Sequence, residues 1–213
     1  MVSFDPLSLI YYALSLFPAM ILHELAHGFV ADRMGDMTPR LHGRLTLNPR
    51  RHIDPFGSLV LPGLLVLPHL FGRPFTPVFG YAKPMPLDPS SLKNPDRKLV
   101  GIMLVGPAVN IVLAALAGVV YRFVGGLFVE LDRFVLIFIG TNLLVGILHL
   151  MPIPPLDGAR ILGTVLPPRA REFMERLEPY GALFMLLIFF IFSGPVLFIV
   201  LAIQDGLIDL LVG

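Results

Sequence analysis

The sequence predicts an all-α polytopic membrane protein. It has a three-helix core plus C-terminal membrane segment(s), with a small membrane-associated β or re-entrant element around 56–88. Composition indicates this class, because 55% of the 213 residues are hydrophobic and only 15% are charged, against about 25% charged in soluble domains. A soluble globule of this size cannot bury so much apolar surface. Several stretches also reach the roughly 20 apolar residues that a membrane span requires.

The predicted spans lie in a single membrane-embedded domain, 1–213, at about 7–30, 95–121, 131–151 and 180–203. We expect the first to be retained as a helix, because it lacks the basic residues that begin a cleaved signal peptide. The apolar segment 56–71 is short and broken by proline and glycine. The following stretch, 72–88, has proline or glycine every few residues, which predicts extended chain. The number of spans after Tyr180 stays open.

Charge and cysteine content exclude several classes of protein. The net charge is +1, and no basic run or basic–aromatic patch suggests a nucleic-acid partner. The chain has no cysteine, so disulfides and thiolate metal sites are excluded. Any metal must therefore be held by His, Asp or Glu.

The distribution of Lys and Arg predicts the orientation. Fourteen of the sixteen basic residues lie in three loops, at 31–55, 72–98 and 152–178. These loops lie on the same side of the membrane only if 56–71 does not cross the bilayer. If it does cross, the basic residues divide almost evenly between the two sides. Because basic residues accumulate on the cytoplasmic side, we expect 56–71 to be re-entrant or peripheral, with the N-terminus outside. Irregular backbone at membrane depth requires cover by protein or by a watery cavity, so this arrangement predicts an internal polar site.

The motif His23-Glu24-Leu25-Ala26-His27 lies within the first predicted span. Helix positions i and i+4 share one face, so both imidazoles can reach one metal ion, with Glu24 beside it to act on water. A charged residue at the centre of a membrane helix costs about 2.5–3.5 kcal/mol on insertion scales. The motif in this context therefore predicts a zinc site; the alternative is a buried polar cluster that only joins helices.

A catalytic zinc ion needs a third protein ligand. Asp157 is the better candidate, because it lies in the apolar, proline-stiffened turn Pro154-Pro155-Leu156-Asp157-Gly158. A helix N-cap or turn role explains the same residue equally well, since Asp-Gly suits turns. His42 and His52 are predicted to be ordinary loop residues, and His69 to face an interface.

Taken in order along the chain, a set of motifs resembles the site-2 protease family of intramembrane zinc metalloproteases, in a short form without a PDZ or CBS domain. The resemblance covers roughly residues 18–165. It rests on His23–His27, Ala31-Asp32-Arg33-Met34-Gly35-Asp36, Leu47-Asn48-Pro49, His52-Ile53-Asp54-Pro55-Phe56-Gly57, Tyr81-Ala82-Lys83-Pro84-Met85-Pro86, Gly106-Pro107-Ala108-Val109-Asn110 and Met151–Gly158.

The resemblance implies a function and a set of site residues. His23, His27 and Asp157 would bind one Zn²⁺ per chain, and Glu24 would be the catalytic general acid/base. The substrate would be a transmembrane protein cut in or near its membrane segment. The family has an Asn, implicated in holding substrate or oxyanion, eight residues before the ligand Asp. Here that position is His149, which could donate in place of Asn, be an additional ligand, or be neutral.

Two further readings belong to other classes. One is a non-catalytic zinc-binding membrane scaffold, which would not need Glu24. The other is a metal transporter, which would need polar groups along a whole crossing and often inverted repeats. We expect a multi-pass protein of the plasma membrane with its active site towards the cytoplasm, and a substrate strand added to 72–88. Substrate identity, physiological role and oligomeric state are not predicted.

Overall fold

A computed structural model describes residues 6–70, 78–181, 183 and 193–213. In these residues three helices are long and apolar enough to cross a membrane: α1 (Pro6–Met34), α4 (Pro95–Val124) and α5 (Val129–His149). Shorter helices are α2 (Thr38–Leu41), α3 (Leu61–Leu70), α6 (Asp157–Gly163) and α7 (Pro168–Leu177), and α8 (Ser193–Val212) lies near the C-terminus. The predicted helical, polytopic class is thus confirmed.

The three long helices form an up–down–up bundle. Lys98 Nζ, near the start of α4, donates to Met34 O at the end of α1 (2.7 Å), so these two helices are antiparallel. The ring of Tyr11 packs on that of Phe134 near the starts of α1 and α5 (centroids 5.5 Å apart), so α5 runs parallel to α1. The chain between α1 and α4 therefore returns to the side from which it left.

Helix α5 is the central helix of the bundle. In its most apolar 18-residue window 61% of the residues are buried, against 33% in α1 and 39% in α4. Apolar side chains from α5 pack on α1, α4 and α8 in separate clusters that include Met20 with Val145 and Ala114 with Leu143. Large apolar side chains on the outer faces of α1 and α4, such as Leu14 and Leu116, stay exposed, as expected for surfaces that face lipid tails.

Several predicted helix boundaries and one predicted element differ from the structure. Helix α4 ends three residues later than predicted, and α5 begins and ends two residues earlier. Helix α1 continues to Met34, a turn beyond the predicted end at Val30. The segment 56–71 begins as a π-helical turn, Pro55–Val60, and continues as α3. The described residues contain no β-strand. Residues 78–88 form no β-ladder with another segment, and 71–77 lies outside the described residues. Within the predicted span 180–203, residues 182 and 184–192 also lie outside them, and 193–203 belong to α8.

Candidate metal centre

His23 and His27 lie one turn apart on the inner face of α1, and both are buried. His23 Nδ1 donates to Asn110 Oδ1 (2.6 Å), and His27 Nδ1 donates to Ile102 O (2.6 Å). Both acceptors belong to α4. Because a neutral imidazole carries one N–H, these bonds place the proton on Nδ1 and leave a lone pair on each Nε2. A hydrogen bond from the ring nitrogen that faces away from the ion orients metal-binding histidines in this way.

Asp157 joins the two histidines from the turn after α5. Its Oδ2 lies 2.9 Å from His23 Nε2 and 3.3 Å from His27 Nε2. It is the first residue of α6, whose N-cap is Leu156 and has no side-chain capping bond. Asp157 is therefore not the N-cap residue of α6, and its role as a metal ligand or as a turn residue stays a prediction.

The three ligand atoms fit a cation. With Nδ1 protonated on both rings, two nitrogen lone pairs face a carboxylate oxygen, and His27 Nε2 has no hydrogen-bond partner among the described residues. An ionised Asp157 carboxylate only accepts hydrogen bonds. Three acceptors in one buried place repel one another unless a positive charge lies between them. Two His and one carboxylate are a known catalytic zinc donor set.

Gly106 on α4 leaves the space that such an ion needs. A Cβ at this position would lie 2.5 Å from His23 Nε2 and still closer to His27 Nε2. The place of Gly106 above both ligand atoms could not be inferred from sequence spacing. Gly118, by contrast, does pack closely, since its Cβ would lie 3.0 Å from Leu211 Cβ of α8.

Glu24 lies beside the cluster and is also buried. Its Oε2 accepts a hydrogen bond from the backbone N–H of Met85 (2.6 Å). A cavity of about 30 Å³ lies next to it, lined among others by Glu24, His27, His149 and Asp157. This volume is enough for one or two water molecules beside the polar groups that would bind them. The cavity adjoins a larger one of about 540 Å³ between residues 84–89 and α6–α7.

A chain of amides connects the site to the third long helix. Asn110 Nδ2 donates to Ala19 O of α1 (3.2 Å) and to Asn142 Oδ1 of α5 (3.1 Å). Asn142 Nδ2 in turn donates to Phe138 O (2.9 Å). Asn110, which the sequence suggested only as a hydrogen-bonding partner for a neighbouring helix, thus fixes the tautomer of His23.

The other histidines fall into two groups. His149, the last residue of α5, lies at the site, with its ring centroid 4.1 Å from that of His23. The loop histidines lie elsewhere: His42 is exposed, and His52 Nε2 donates to Thr46 O (2.7 Å). The side chain of His69 lies outside the described residues.

The extended segment 78–88 is tied to the loop after α1. Lys83 N donates to His52 O (2.7 Å), and the Arg44 guanidinium donates to Lys83 O (2.6 Å). The backbone N–H groups of residues 81, 83 and 85 are already hydrogen-bonded, while Pro84 and Pro86 have none. A substrate strand would therefore find few backbone donors on this part of the segment, which weakens the idea of strand addition there.

Gly158→Ala should lower stability and disturb Asp157. A Cβ at Gly158 would collide with the carbonyl oxygens of Leu150 and Met151, so the turn that carries Asp157 must move. We expect a melting temperature lower by several degrees, equivalent to about 1–3 kcal/mol for overpacking, in thermal unfolding of the purified protein. Gly163→Ala is the matched control on α6, because nothing lies within 4 Å of its Cβ. Equal melting temperatures for the two variants would contradict this account of the turn.

Fold and site together define a class: polytopic helical membrane proteins with a buried His–His–Asp cluster suited to a metal. The chain is 35% identical to "Putative zinc metalloprotease YwhC" of Bacillus subtilis, over 84% of this chain and 84% of that protein. It therefore belongs to the family of these proteins named as zinc metalloproteases. It is also 32% identical to "Putative zinc metalloprotease Rip2" of Mycobacterium tuberculosis and of Mycolicibacterium smegmatis, over 80% of this chain but only 63% and 62% of those proteins. No family model and no solved structure matches the chain.

Proposed function

We propose that this protein is an intramembrane zinc metalloendopeptidase of the site-2 protease family, which hydrolyses peptide bonds in or near transmembrane segments of other proteins. One observation carries the proposal. The Nε2 atoms of His23 and His27 face Asp157 Oδ2 beneath Gly106, with the Glu24 carboxylate beside them. A binding site for a structural ion alone does not need that carboxylate.

His23, His27 and Asp157 would hold the zinc ion, which would supply Lewis acidity to polarise a carbonyl and to lower the pKa of water towards neutral. Glu24 accepts that proton and later delivers it to the leaving amine nitrogen. The Met85 N–H holds Oε2 of Glu24, which leaves Oε1 as the atom for proton transfer. Asn110 and Ile102 keep both imidazoles in the orientation that presents Nε2.

The substrate must reach this site as an unwound segment, because a helix shields its own peptide bonds. The 540 Å³ cavity beside residues 84–89 is a place for such a segment, since it adjoins the small cavity that Glu24 lines. Five prolines line it, at 84, 86, 89, 154 and 155. The prolines lack N–H groups, so the peptide would bind there mainly through its side chains and its own N–H donors.

We place the site towards the cytoplasmic face of the plasma membrane. The basic loops at 31–55, 72–98 and 152–178 adjoin the ends of α1, α4 and α5 that lie on one side of the bundle, and positive charge favours the cytoplasm. Between them, 56–71 would enter the membrane and return. His23 lies eleven residues from the end of α1, about 16 Å at 1.5 Å per residue, so water must reach deeper than the predicted helix end implied.

Glu24→Gln tests the proposal. The amide cannot take a proton from water, so cleavage of single-span substrates should fall by about 10²–10⁴-fold, while bound zinc stays near one per chain. Metal content and cleavage are measured on the same detergent-purified samples. Glu172→Gln is the matched control on the exposed face of α7, where Glu172 pairs with Arg176, and it should behave as wild type. Zinc without cleavage in wild type across a broad substrate panel would favour the scaffold.

A further inference from the structure

The three histidines at the site share one hydrogen-bonding pattern. His149 Nδ1 donates to Val145 O (2.9 Å), as His23 and His27 donate through Nδ1 to acceptors on α4. A carbonyl oxygen only accepts, so the proton of neutral His149 is on Nδ1 and its Nε2 carries a lone pair. His52 has the opposite arrangement and donates through Nε2. The same arrangement occurs at exposed His42, whose Nδ1 donates to Thr38 O, so the pattern leaves Nε2 of His149 able to bind a metal but does not by itself identify a ligand.

The position of His149 is also that of a ligand. Its side chain is buried, with 9% of the residue surface exposed, and it lines the small cavity together with Glu24, His27 and Asp157. One ligand atom each from His149, His23 and Asp157 all lie within 4.8 Å of one another. Tetrahedral ligands about 2.1 Å from one ion are about 3.4 Å apart, so these atoms need to approach by at most about 1.4 Å. Side-chain rotation supplies a movement of that size.

A role for His149 as an oxyanion donor agrees less well with the same contacts. Such a donor needs an N–H directed at the developing negative charge. Neutral His149 donates its single N–H to Val145 O, so its other ring nitrogen carries only a lone pair. A lone pair repels an oxyanion but binds a metal ion.

We propose that His149 is a fourth protein ligand of the metal, in addition to His23, His27 and Asp157. The inference rests on the proposed function only in that both assume a metal ion bound by His23, His27 and Asp157. Four protein ligands close a tetrahedral zinc site, whereas a catalytic site keeps one position open. His149 therefore occupies the fourth coordination position in the absence of substrate. It must leave the metal, and lose its hydrogen bond to Val145 O, before water and substrate can bind there.

His149→Asn tests this through metal affinity. Loss of an outer-shell partner already costs about 10–100-fold in affinity, so removal of a direct ligand should weaken zinc binding by at least about 10-fold in competition with a chelator. His42→Asn is the matched control, because His42 Nδ1 makes the same bond to the carbonyl four residues earlier, Thr38 O (2.9 Å), but is exposed. It should bind zinc as wild type does.

X-ray absorption at the zinc edge gives a second readout that needs no variant. Wild type should show three imidazoles on zinc, and His149→Asn two. Two imidazoles in wild type, or equal zinc affinity in the two proteins, would overturn the proposal even if His149→Asn folds poorly. Lost cleavage with unchanged zinc binding would also overturn it, because His149 would then act on the substrate.

The zinc dependence of cleavage separates this inference from the proposed function. His149→Asn lacks one ligand, so it should need at least about 10-fold more zinc than wild type for half-maximal cleavage, whereas His42→Asn should match wild type. If wild-type zinc carries three imidazoles and neither protein cleaves any substrate, His149 is a ligand and the protease function is wrong. If wild type cleaves with two imidazoles on zinc, the function stands and the ligand proposal fails.

Discussion

Gly106→Ala should remove zinc from the protein without unfolding it. The new methyl carbon would lie 2.5 Å from His23 Nε2 and closer still to His27 Nε2, in the space that the ion needs. Zinc affinity should fall by more than about 100-fold, beyond the usual effect of an outer-shell change, and cleavage should disappear with it. Alanine is a better helix former than glycine by about 1 kcal/mol, so loss of the helix cannot explain the result.

Gly101→Ala is the matched control for this experiment. It lies on α4 five residues earlier, and the nearest atom to its Cβ is Met34 Cε at 3.6 Å, an ordinary contact. Both variants gain the same helix propensity, so only the space at the site distinguishes them. Chelator competition measures affinity, and circular dichroism checks the helical content. Wild-type zinc affinity in Gly106→Ala would mean that no metal lies between His23 and His27.

Asp157→Asn should also abolish metal binding and cleavage. The amide keeps the size of the side chain but loses the charge that lies between His23 and His27, so the carboxylate ligand is lost and only imidazoles remain. We expect zinc affinity to fall by at least about 100-fold, again more than for an outer-shell partner, and cleavage to fall below detection. Metal content after dialysis and a cleavage assay measure the two effects.

This substitution also separates ligation from capping. Asn caps helices about as well as Asp, so a capping role for Asp157 would survive it. Asp88→Asn is the control, because Asp88 does cap a short helical turn, accepting from Ser90 N (3.1 Å), and lies away from the histidines. It should keep wild-type zinc. Normal zinc affinity in Asp157→Asn would remove Asp157 from the ligand set.

The sequence predicts the bundle well, because membrane spans depend on local composition. The lengths of α1, α4 and α5 follow from apolar runs, and the shared face of His23 and His27 follows from helix periodicity. The end of α1 was missed by a turn, because Asp32 and Arg33 are polar enough to belong to a loop and yet continue the helix.

Long-range contacts could not be predicted from these local signals. The sequence left Asp157 evenly divided between ligand and cap, and only the fold brings it to the histidines from 134 residues away. Gly106 and the Met85 N–H act through backbone positions that carry no side-chain signal. The hydrogen bond that fixes the tautomer of His149 lies within α5. The ring that His149 contacts, that of His23, belongs to α1, so this contact could not be predicted from the sequence around His149.

The amide chain from His23 through Asn110 to Asn142 has a consequence for how the bundle is aligned. Apolar helices can slide past one another at little cost, whereas these hydrogen bonds weaken steeply beyond about 3.2 Å. A slip of one residue moves a helix by 1.5 Å, enough to break the bonds to both neighbours at once. Asn142, which contacts no ligand, therefore helps to set the depth in the membrane at which α1 presents its two imidazoles.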